Sequence, residues 1–266
     1  SLSNRLLIPR DQRKLLLPER KLYAPALIIP GIVPVPHKPP AAAVVVPGVT
    51  TFNSGSGNWI IPLFNTLTIE AWGGGAASTS INTSATGIPP TASPSASTVT
   101  GTGVNISAGA GVAGNNFLSG GGAGGVGGTA SGGNTTNTNG GNAAARAPLV
   151  YGGQKGGDCP NGGLGGTATS VYATNAASSE AGHSGAAPGG GAGGAWQCWS
   201  TGPGAYNWGS STPSGAGAYC KSVYNAGGIA VGLTLAYVVG AAGISNKSAV
   251  APGGDGGAGR IRFTVA

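Results

Sequence analysis

The stretch Gly121-Gly-Ala-Gly-Gly-Val-Gly-Gly-Thr129 sets the character of this chain, because it repeats a Gly-Gly-x triad three times in succession. Paired triads recur at 162–167, 190–195 and 253–258. A period of three residues matches the polyproline II helix, which has three residues per turn and no internal hydrogen bonds. Where two of three residues lack a side chain, neighbouring helices can approach until their backbone N–H and C=O groups pair. The triads therefore predict a bundle of short polyglycine-type II helices near 120–129, 152–167, 189–195 and 253–258.

The composition points away from catalysis. The 266 residues include 54 Gly and 19 Pro but only 13 basic and 6 acidic residues and 2 His. An ordinary domain has about a quarter of its residues charged. Acid–base and metal chemistry therefore have few groups to use, and we expect a structural or binding protein, not an enzyme, without cofactor or metal. A disordered glycine and serine linker is the alternative interpretation of the glycine-rich middle.

Strand patterns lie on both sides of the glycine-rich middle. Leu67, Ile69 and Ala71 alternate with Thr68, Glu70 and Trp72, as in a strand with two different faces. The same period of two predicts strands near 58–72, 98–107, 230–240 and 260–265. The predicted fold is mainly β or irregular: a small β framework over 50–266 that brackets the polyglycine-type II bundle, preceded by an extended arm.

Residues 1–49 form the predicted arm. Nine prolines interrupt it, which excludes any long helix. It carries a charge of +5 out of the chain's +7, and it contains short apolar runs that an arm this thin cannot bury against itself. We expect it to dock on a protein partner through Arg5, Arg10, Arg13, Lys14, Leu15, Leu16, Leu17, Arg20, Lys21, Ile28 and Ile29.

Two other partners are not expected. Nucleic-acid binding by the arm would favour aromatic residues among the cations, and Tyr23 is the only one there. Insertion into a membrane is not expected either, because no window of about 18 apolar residues occurs.

The opening of the second region resembles a known family. Thr51-Phe-Asn-Ser-Gly-Ser-Gly-Asn-Trp59-Ile-Ile-Pro62, followed by Leu67-Thr-Ile-Glu-Ala-Trp72-Gly-Gly-Gly75, resembles the start of the glycine-rich domain of bacteriophage tail fibres and related virion proteins. The later stretch Tyr237-Val-Val-Gly240-Ala-Ala-Gly243 resembles that family's second strand, which runs into a V-G-x-x-G motif, and 253–265 resembles its closing strand. The resemblance covers roughly residues 50–266 and does not extend to residues 1–49.

The resemblance implies a protein of the virion, whose arm docks on other virion proteins. Three cysteines without a disulfide pattern fit synthesis and assembly in the host cytoplasm. Virion proteins of this sort commonly form closed homo-oligomers, for which a trimer is preferred. It implies a tail-fibre or fibre-tip role, in which polyglycine-type II helices support loops that contact the host. Capsid decoration, or a tail-structural role in which the arm staples neighbouring subunits, is the other class we consider. A long arm favours this second class, because a staple must span subunits.

Aromatic residues cluster within 196–224. Rigid amphipathic rings on loops commonly serve recognition. Host-surface glycan or an outer-membrane protein would suit them, and the predicted contacts are Trp196, Trp199, Tyr206 and Trp208. The alternative is that the rings cap the open end of the bundle.

The sequence contains only weak matches to cofactor-binding and catalytic motifs. Two Gly-x-Gly-x-x-Gly matches are expected by chance in such a glycine background. Glu180 and His183 are predicted to be solvated loop residues rather than a catalytic pair. A bridge between Cys198 and Cys220 stays open at this stage, because three cysteines with no C-x-x-C pair predict neither a disulfide scaffold nor a zinc site.

Overall fold

The computed structural model describes residues 44–82, 87–114, 122–145, 153–168, 178–202 and 205–266, with residues 178, 199–202 and 205–208 described by their backbone only. These residues form antiparallel strands in small sheets and contain no α-helix, which confirms the prediction of a mainly β fold. The strands are β1 Gly48–Phe52, β2 Ser56–Ile60, β3 Thr66–Trp72, β4 Ser80–Ile81, β5 Gly87–Ile88, β6 Ser97–Gly101, β7 Val104–Ala108, β8 Ala130–Ser131, β9 Thr136–Thr138, β10 Ser178–Glu180, β11 Trp196–Gly202, β12 Ala205–Ser210, β13 Tyr219–Asn225, β14 Thr234–Val238 and β15 Arg260–Val265.

Two five-stranded sheets share one hydrophobic core. The first has the order β1-β15-β3-β13-β9 and the second the order β2-β14-β6-β7-β8. Side chains from both sheets belong to the same buried cluster, among them Leu67, Ile69, Phe263, Val99, Ile106 and Leu235. Each side chain of this size contributes roughly 1.5–3 kcal/mol when fully buried. This core holds the sheets together as a sandwich.

Aromatic stacking closes one end of the core. The rings of Trp59 and Phe263 stack with centroids 4.2 Å apart, and those of Phe52 and Tyr237 stack at 4.1 Å. These four residues come from β1, β2, β14 and β15. The stacks therefore join the two sheets at the strands where the chain enters and leaves the sandwich.

Strands occur in all four regions where alternation predicted them, with different bounds. The region 58–72 holds parts of two strands, because Ile61–Pro62 leads β2 of one sheet into β3 of the other. The region 98–107 is the β6–β7 hairpin, whose turn uses Gly103 at a φ of +77°. Val231 lies outside β14, because Gly232 at a φ of +83° forms a turn before that strand begins.

The glycine-rich segments are not strands, yet their backbone is hydrogen-bonded with a period of three. The clearest case is the fully buried segment 211–218. Along one side, every third N–H of this segment donates to segment 189–195, at distances of 2.8–2.9 Å: Ser211 to Ala195, Ser214 to Ala192 and Gly217 to Gly189. The two segments run antiparallel.

The same central segment bonds to further neighbours in other directions. Its Gly215 and Ala218 N–H groups donate to the carbonyls of Val112 and Gly109. Its carbonyls at Pro213 and Ala216 accept from Gly125 and Gly128, again three residues apart. Backbone thus packs directly on backbone around segment 211–218, with hydrogen bonds in the place of a side-chain core.

Glycine is required where these segments touch. A Cβ at Gly215 would lie 2.0 Å from the carbonyl oxygen of Val126, and a Cβ at Gly217 would lie 2.1 Å from that of Gly73. Both distances are far shorter than any van der Waals contact. The backbones can approach this closely only because glycine, which has no side chain, occupies these positions.

The chain divides into a unit Ser1–Ala42 and a unit Ala43–Ala266. All docking residues predicted for the arm lie in the first unit, outside the described residues, and their docking stays a prediction. In the second unit, β1 begins at Gly48, one residue before the predicted end of the arm at residue 49.

Candidate recognition site

The predicted contact residues lie on a small separate sheet of order β10-β11-β12. Strands β11 and β12 form an antiparallel pair in which Cys198 faces Trp208 and Ser200 faces Tyr206. The register shifts between Ser200 and Gly202. The backbone therefore places Trp199, Tyr206 and Trp208 on one hairpin, which we call the β11–β12 hairpin. Tyr206 and Trp208 occupy positions of one face, and Trp199, which pairs with Asn207, occupies a position of the other.

The hairpin is connected at both ends to glycine-rich segments. Segment 189–195 leads directly into β11, and β12 leads directly into segment 211–218. The hydrogen bonds that pair these segments continue up to the hairpin, where the Ser211 N–H donates to the Ala195 carbonyl and the Ala195 N–H donates to Ser211 Oγ, both at 2.8 Å. The position of the hairpin is thus set by backbone pairing beneath it.

Trp196 does not fit the role of a contact residue. Its side chain is only 2% exposed, and its Nε1 donates to Glu180 Oε2 at 3.2 Å. It lies at the first position of β11, where the strand leaves the buried glycine segment. A ring buried at this position is not available to a receptor, which corrects the prediction for Trp196.

Tyr219, another aromatic of the 196–224 cluster, is also structural. It is buried, and its hydroxyl donates to Glu70 Oε1 at 2.8 Å. Arg262 holds the other oxygen of this carboxylate, with Nε at 2.7 Å and Nη2 at 2.5 Å from Oε2. Burial, with the neighbouring Glu70 carboxylate, raises the pKa of Tyr219 well above its ordinary value. The phenol therefore stays a donor to Glu70.

This polar cluster lies on the face of β3 that points away from the sandwich core. The Trp72 ring packs beside Tyr219, with centroids 5.2 Å apart, and the Arg262 guanidinium lies 5.4 Å from the Trp72 centroid. Trp72 Nε1 donates to the Asn161 carbonyl at 3.0 Å. Sequence reasoning missed the cluster, because alternation assigns Glu70 and Trp72 to an outer face without showing that glycine-rich segments cover it.

Glu180 and His183 lie close to a third polar residue. His183 Nδ1 is 2.5 Å from Thr167 Oγ1, and its Nε2 is 3.6 Å from Glu180 Oε1. Thr167 is exposed and the His183 side chain is half exposed. Water competes with such contacts and weakens them. The arrangement satisfies surface polar groups, and we assign it no chemistry.

All three cysteines are buried and none forms a disulfide, so the bridge left open between Cys198 and Cys220 is absent. Burial raises the pKa of the Cys159 thiol to about 12. Cys220 Sγ donates to the Ser107 carbonyl at 3.0 Å, and burial raises its pKa too. These thiols behave as small core residues rather than nucleophiles.

Among the described residues, no group of three or more His, Cys, Asp or Glu side chains could hold a metal ion. That part of the chain also has no helix long and apolar enough to cross a membrane. No protein-family model, no curated protein and no solved structure matches the chain.

Proposed function

We propose that the protein is a non-enzymatic structural protein of a phage virion, of the tail-fibre or fibre-tip type. In this proposal the N-terminal arm anchors the protein to the particle and the β11–β12 hairpin contacts the host surface. The observation that carries it is the hydrogen bonding of the glycine-rich segments at every third residue, next to a small β sandwich. The resemblance of residues 50–266 to tail-fibre glycine-rich domains agrees with this combination.

The same hydrogen bonds support a polyglycine-type II bundle. A helix with three residues per turn points each third N–H in the same direction, so it can bond to several parallel or antiparallel neighbours at once. Segment 211–218 bonds to 189–195, 109–112 and 125–128 in this way. We take these segments as members of the proposed bundle.

Such a bundle suits a protein that presents loops. Its stability comes from backbone hydrogen bonds, so loop sequences can vary without disturbing a side-chain core. The β11–β12 hairpin leaves the bundle between two paired segments and carries Trp199, Tyr206 and Trp208. With Trp196 at its base, these three are the proposed contacts for host glycan or an outer-membrane protein. The proposed assembly is a homo-oligomer, preferably a trimer, because virion proteins commonly form closed symmetric oligomers.

Adsorption of particles to host cells tests the hairpin. Particles carrying Trp199→Ala with Trp208→Ala should assemble normally but adsorb poorly. Val126→Ala with Leu164→Ala is the matched control, since both side chains are exposed apolar groups of glycine-rich segments outside the hairpin. Normal adsorption by the tryptophan variant would contradict the recognition role, and turnover of a small substrate by the wild-type protein would contradict the non-enzymatic class.

The second candidate is a capsid-decoration or tail-structural protein whose arm staples neighbouring subunits. The length, positive charge and apolar runs of residues 1–43 favour it. Counting copies per particle separates the candidates, because fibres are present in a few to tens of copies and decoration proteins in hundreds. An arm deletion should end at residue 43, since removal of residues 1–49 would also cut into β1.

A further inference from the structure

A groove opens where the two segments that flank the β6–β7 hairpin move apart. The hairpin begins with the pair Ser97 and Ala108. Segment 89–95 leads into it and segment 109–114 leads out, and no backbone hydrogen bond joins these two described segments. The groove between them has a volume of about 490 Å³. Ligand pockets typically measure roughly 300–1,000 Å³.

This groove interrupts an otherwise closed ring of backbone pairing. Six segments each share at least one backbone hydrogen bond with a central segment, 73–78, and together they surround it: 91–95, 109–112, 189–192, 211–218, 240–244 and 253–257. Neighbours in the ring also bond to each other, as the Gly215 N–H does to the Val112 carbonyl. The described segments 91–95 and 109–112 are the one neighbouring pair that does not. The ring is therefore open at one place, and the groove lies there.

Segment 109–114 keeps two backbone donors unpaired on one side. With three residues per turn, successive N–H groups point in three directions. The Val112 N–H donates to the adjacent glycine-rich segment and the Gly111 N–H donates to the central segment. The N–H groups of Ala110 and Ala113, which are three residues apart and therefore share the third direction, have no acceptor. Both alanines are partly exposed and line the groove.

The spacing of these two donors matches the carbonyl spacing of a polyproline II peptide. Such a helix rises about 3.1 Å per residue, so its carbonyls at every third residue point the same way and lie about 9 Å apart. The N–H groups of Ala110 and Ala113 have this spacing too, because their own segment has the same period. Only acceptors are needed opposite them, and proline keeps its carbonyl although it has no N–H.

The walls of the groove favour proline as well. Pro89, Pro90 and Pro94 line one side and Val112 lines the other, and no charged residue lines the groove. Pyrrolidine rings can pack on such walls, whereas a charged ligand would find no partner there. Proline also holds the polyproline II conformation before binding, so binding orders the peptide at little entropic cost.

We infer that this groove binds a proline-rich segment of a partner protein in the polyproline II conformation. The carbonyls of that segment accept hydrogen bonds from Ala110 and Ala113, and its rings lie against Pro94 and Val112. The bound segment occupies the open place in the ring around 73–78. This site is separate from the β11–β12 hairpin, and the inference does not depend on the proposed virion role.

Titration of the isotope-labelled full-length protein with a capped peptide of six prolines tests the groove by NMR. The amide protons of Ala110 and Ala113 should shift downfield as they become hydrogen-bonded. The amide proton of Val112, which is already bonded, should move less. A capped peptide of three Gly-Ser repeats offers the same number of carbonyls without a fixed conformation, and it should bind about tenfold more weakly or worse.

Removal of the two donors is the sharper test. The variant Ala110→Pro with Ala113→Pro loses both N–H groups but no hydrogen bond of the folded chain, so its melting temperature should stay near that of wild type. It should bind the proline peptide about tenfold more weakly or worse, as followed by the amide of Ala92 in the groove. The control Ala110→Gly with Ala113→Gly keeps both donors and should bind like wild type.

Val112→Asp is a second variant, in case the two prolines lower the melting temperature. It places a charge on the wall of the groove at a side chain that is 56% exposed, and it should weaken peptide binding by about tenfold. Val126→Asp is its matched control, because Val126 is 57% exposed on the adjacent segment and does not line the groove. This control should bind the peptide like wild type.

Three results would overturn the inference. The first is the absence of any shift at Ala110 and Ala113 with millimolar proline peptide. The second is equal binding of the Gly-Ser peptide, or undiminished binding by the folded proline variant, since neither the fixed conformation nor the two donors would then matter. The third is protection of both amides from hydrogen exchange before peptide is added, because the groove would then be filled by this chain or by a second copy.

Discussion

Trp72 Nε1 donates a hydrogen bond to the backbone carbonyl of Asn161, 3.0 Å away and 89 residues later in the chain. Trp72 ends the central strand β3, and Asn161 lies in a turn between glycine-rich segments, where its φ is +50°. Trp72 also packs with Cys159 and Tyr219 in one buried cluster. This single indole therefore links the sandwich to the glycine-rich region.

Trp72→Phe should lower the free energy of unfolding by about 1–2 kcal/mol, because the Asn161 carbonyl loses its donor while most of the ring volume is kept. Urea-induced unfolding followed by circular dichroism measures the change. Trp59→Phe is a useful comparison, because it makes the same substitution at a tryptophan whose ring stacks on Phe263 inside the sandwich. Unfolding of Trp72→Phe at the wild-type midpoint would show that this hydrogen bond does not couple the two regions.

Gly215→Ala should destabilise the protein by about 3 kcal/mol or more, because the new Cβ would lie 2.0 Å from the Val126 carbonyl oxygen and force backbones apart. Gly48→Ala is the control, because nothing lies within 4 Å of its Cβ. That substitution should stay within about 0.5 kcal/mol of wild type. If both variants had equal melting temperatures, close backbone packing around 211–218 would be contradicted.

The three cysteines should resist thiol reagents in the folded protein. All are buried, and the pKa of Cys159 is raised to about 12, so little thiolate exists at pH 8. A colorimetric disulfide reagent should detect almost no thiol before guanidinium is added and three thiols per chain afterwards. Detection of only one thiol after unfolding would reveal a disulfide and contradict the structure.

Acid should weaken the fold through Asp158 and Asp255. Burial alone would raise the pKa of each carboxyl, but hydrogen bonds outweigh it and lower both below the ordinary 3.8. Asp158 accepts from Lys155 Nζ and the Gly165 N–H. Asp255 accepts from Ser245, and Lys247 Nζ lies 3.0 Å from its Oδ1.

A carboxyl whose pKa is lower in the folded state than in the unfolded state stabilises the fold at pH values above its unfolded-state pKa. This stabilisation is lost as the pH falls through the folded-state pKa. The melting temperature should therefore drop as the pH falls below about 4. Asp255→Asn should melt below wild type at pH 7, and the gap should narrow as the pH approaches 3. A gap that is constant across this range would mean that the charge of Asp255 does not stabilise the fold.

The strands of the sandwich could be predicted from the sequence, because alternation of apolar and polar residues is a local pattern. Leu67, Ile69 and Ala71 alternate with more polar neighbours, and a period of two is a property of the strand itself. Which strand belongs to which sheet could not be predicted in this way. Region 58–72 reads as one strand-rich stretch, yet β2 and β3 belong to different sheets because Ile61 and Phe64 turn into the core between them.

The residues proposed for recognition show the same division. Aromatic clustering within 196–224 pointed to the β11–β12 hairpin, but Trp196 and Tyr219 share that composition and are buried. Trp196 donates to Glu180 and Tyr219 donates to Glu70, and each carboxylate lies on a different strand from its partner. Composition cannot separate a ring on a hairpin from a ring beneath it.

By itself the sequence determined the mainly β fold, the scarcity of chemical groups and the three-residue period of the glycine-rich segments, because each depends on residue type and local spacing. Only the tertiary structure decided which segments pair. The N–H of Gly217 donates to Gly189 and that of Ala218 donates to Gly109, although the neighbouring glycines look alike in the sequence. Glycine carries no side chain to specify a partner, so the pairing is set by the sandwich and by anchors such as Trp72, which fix where each segment begins and ends.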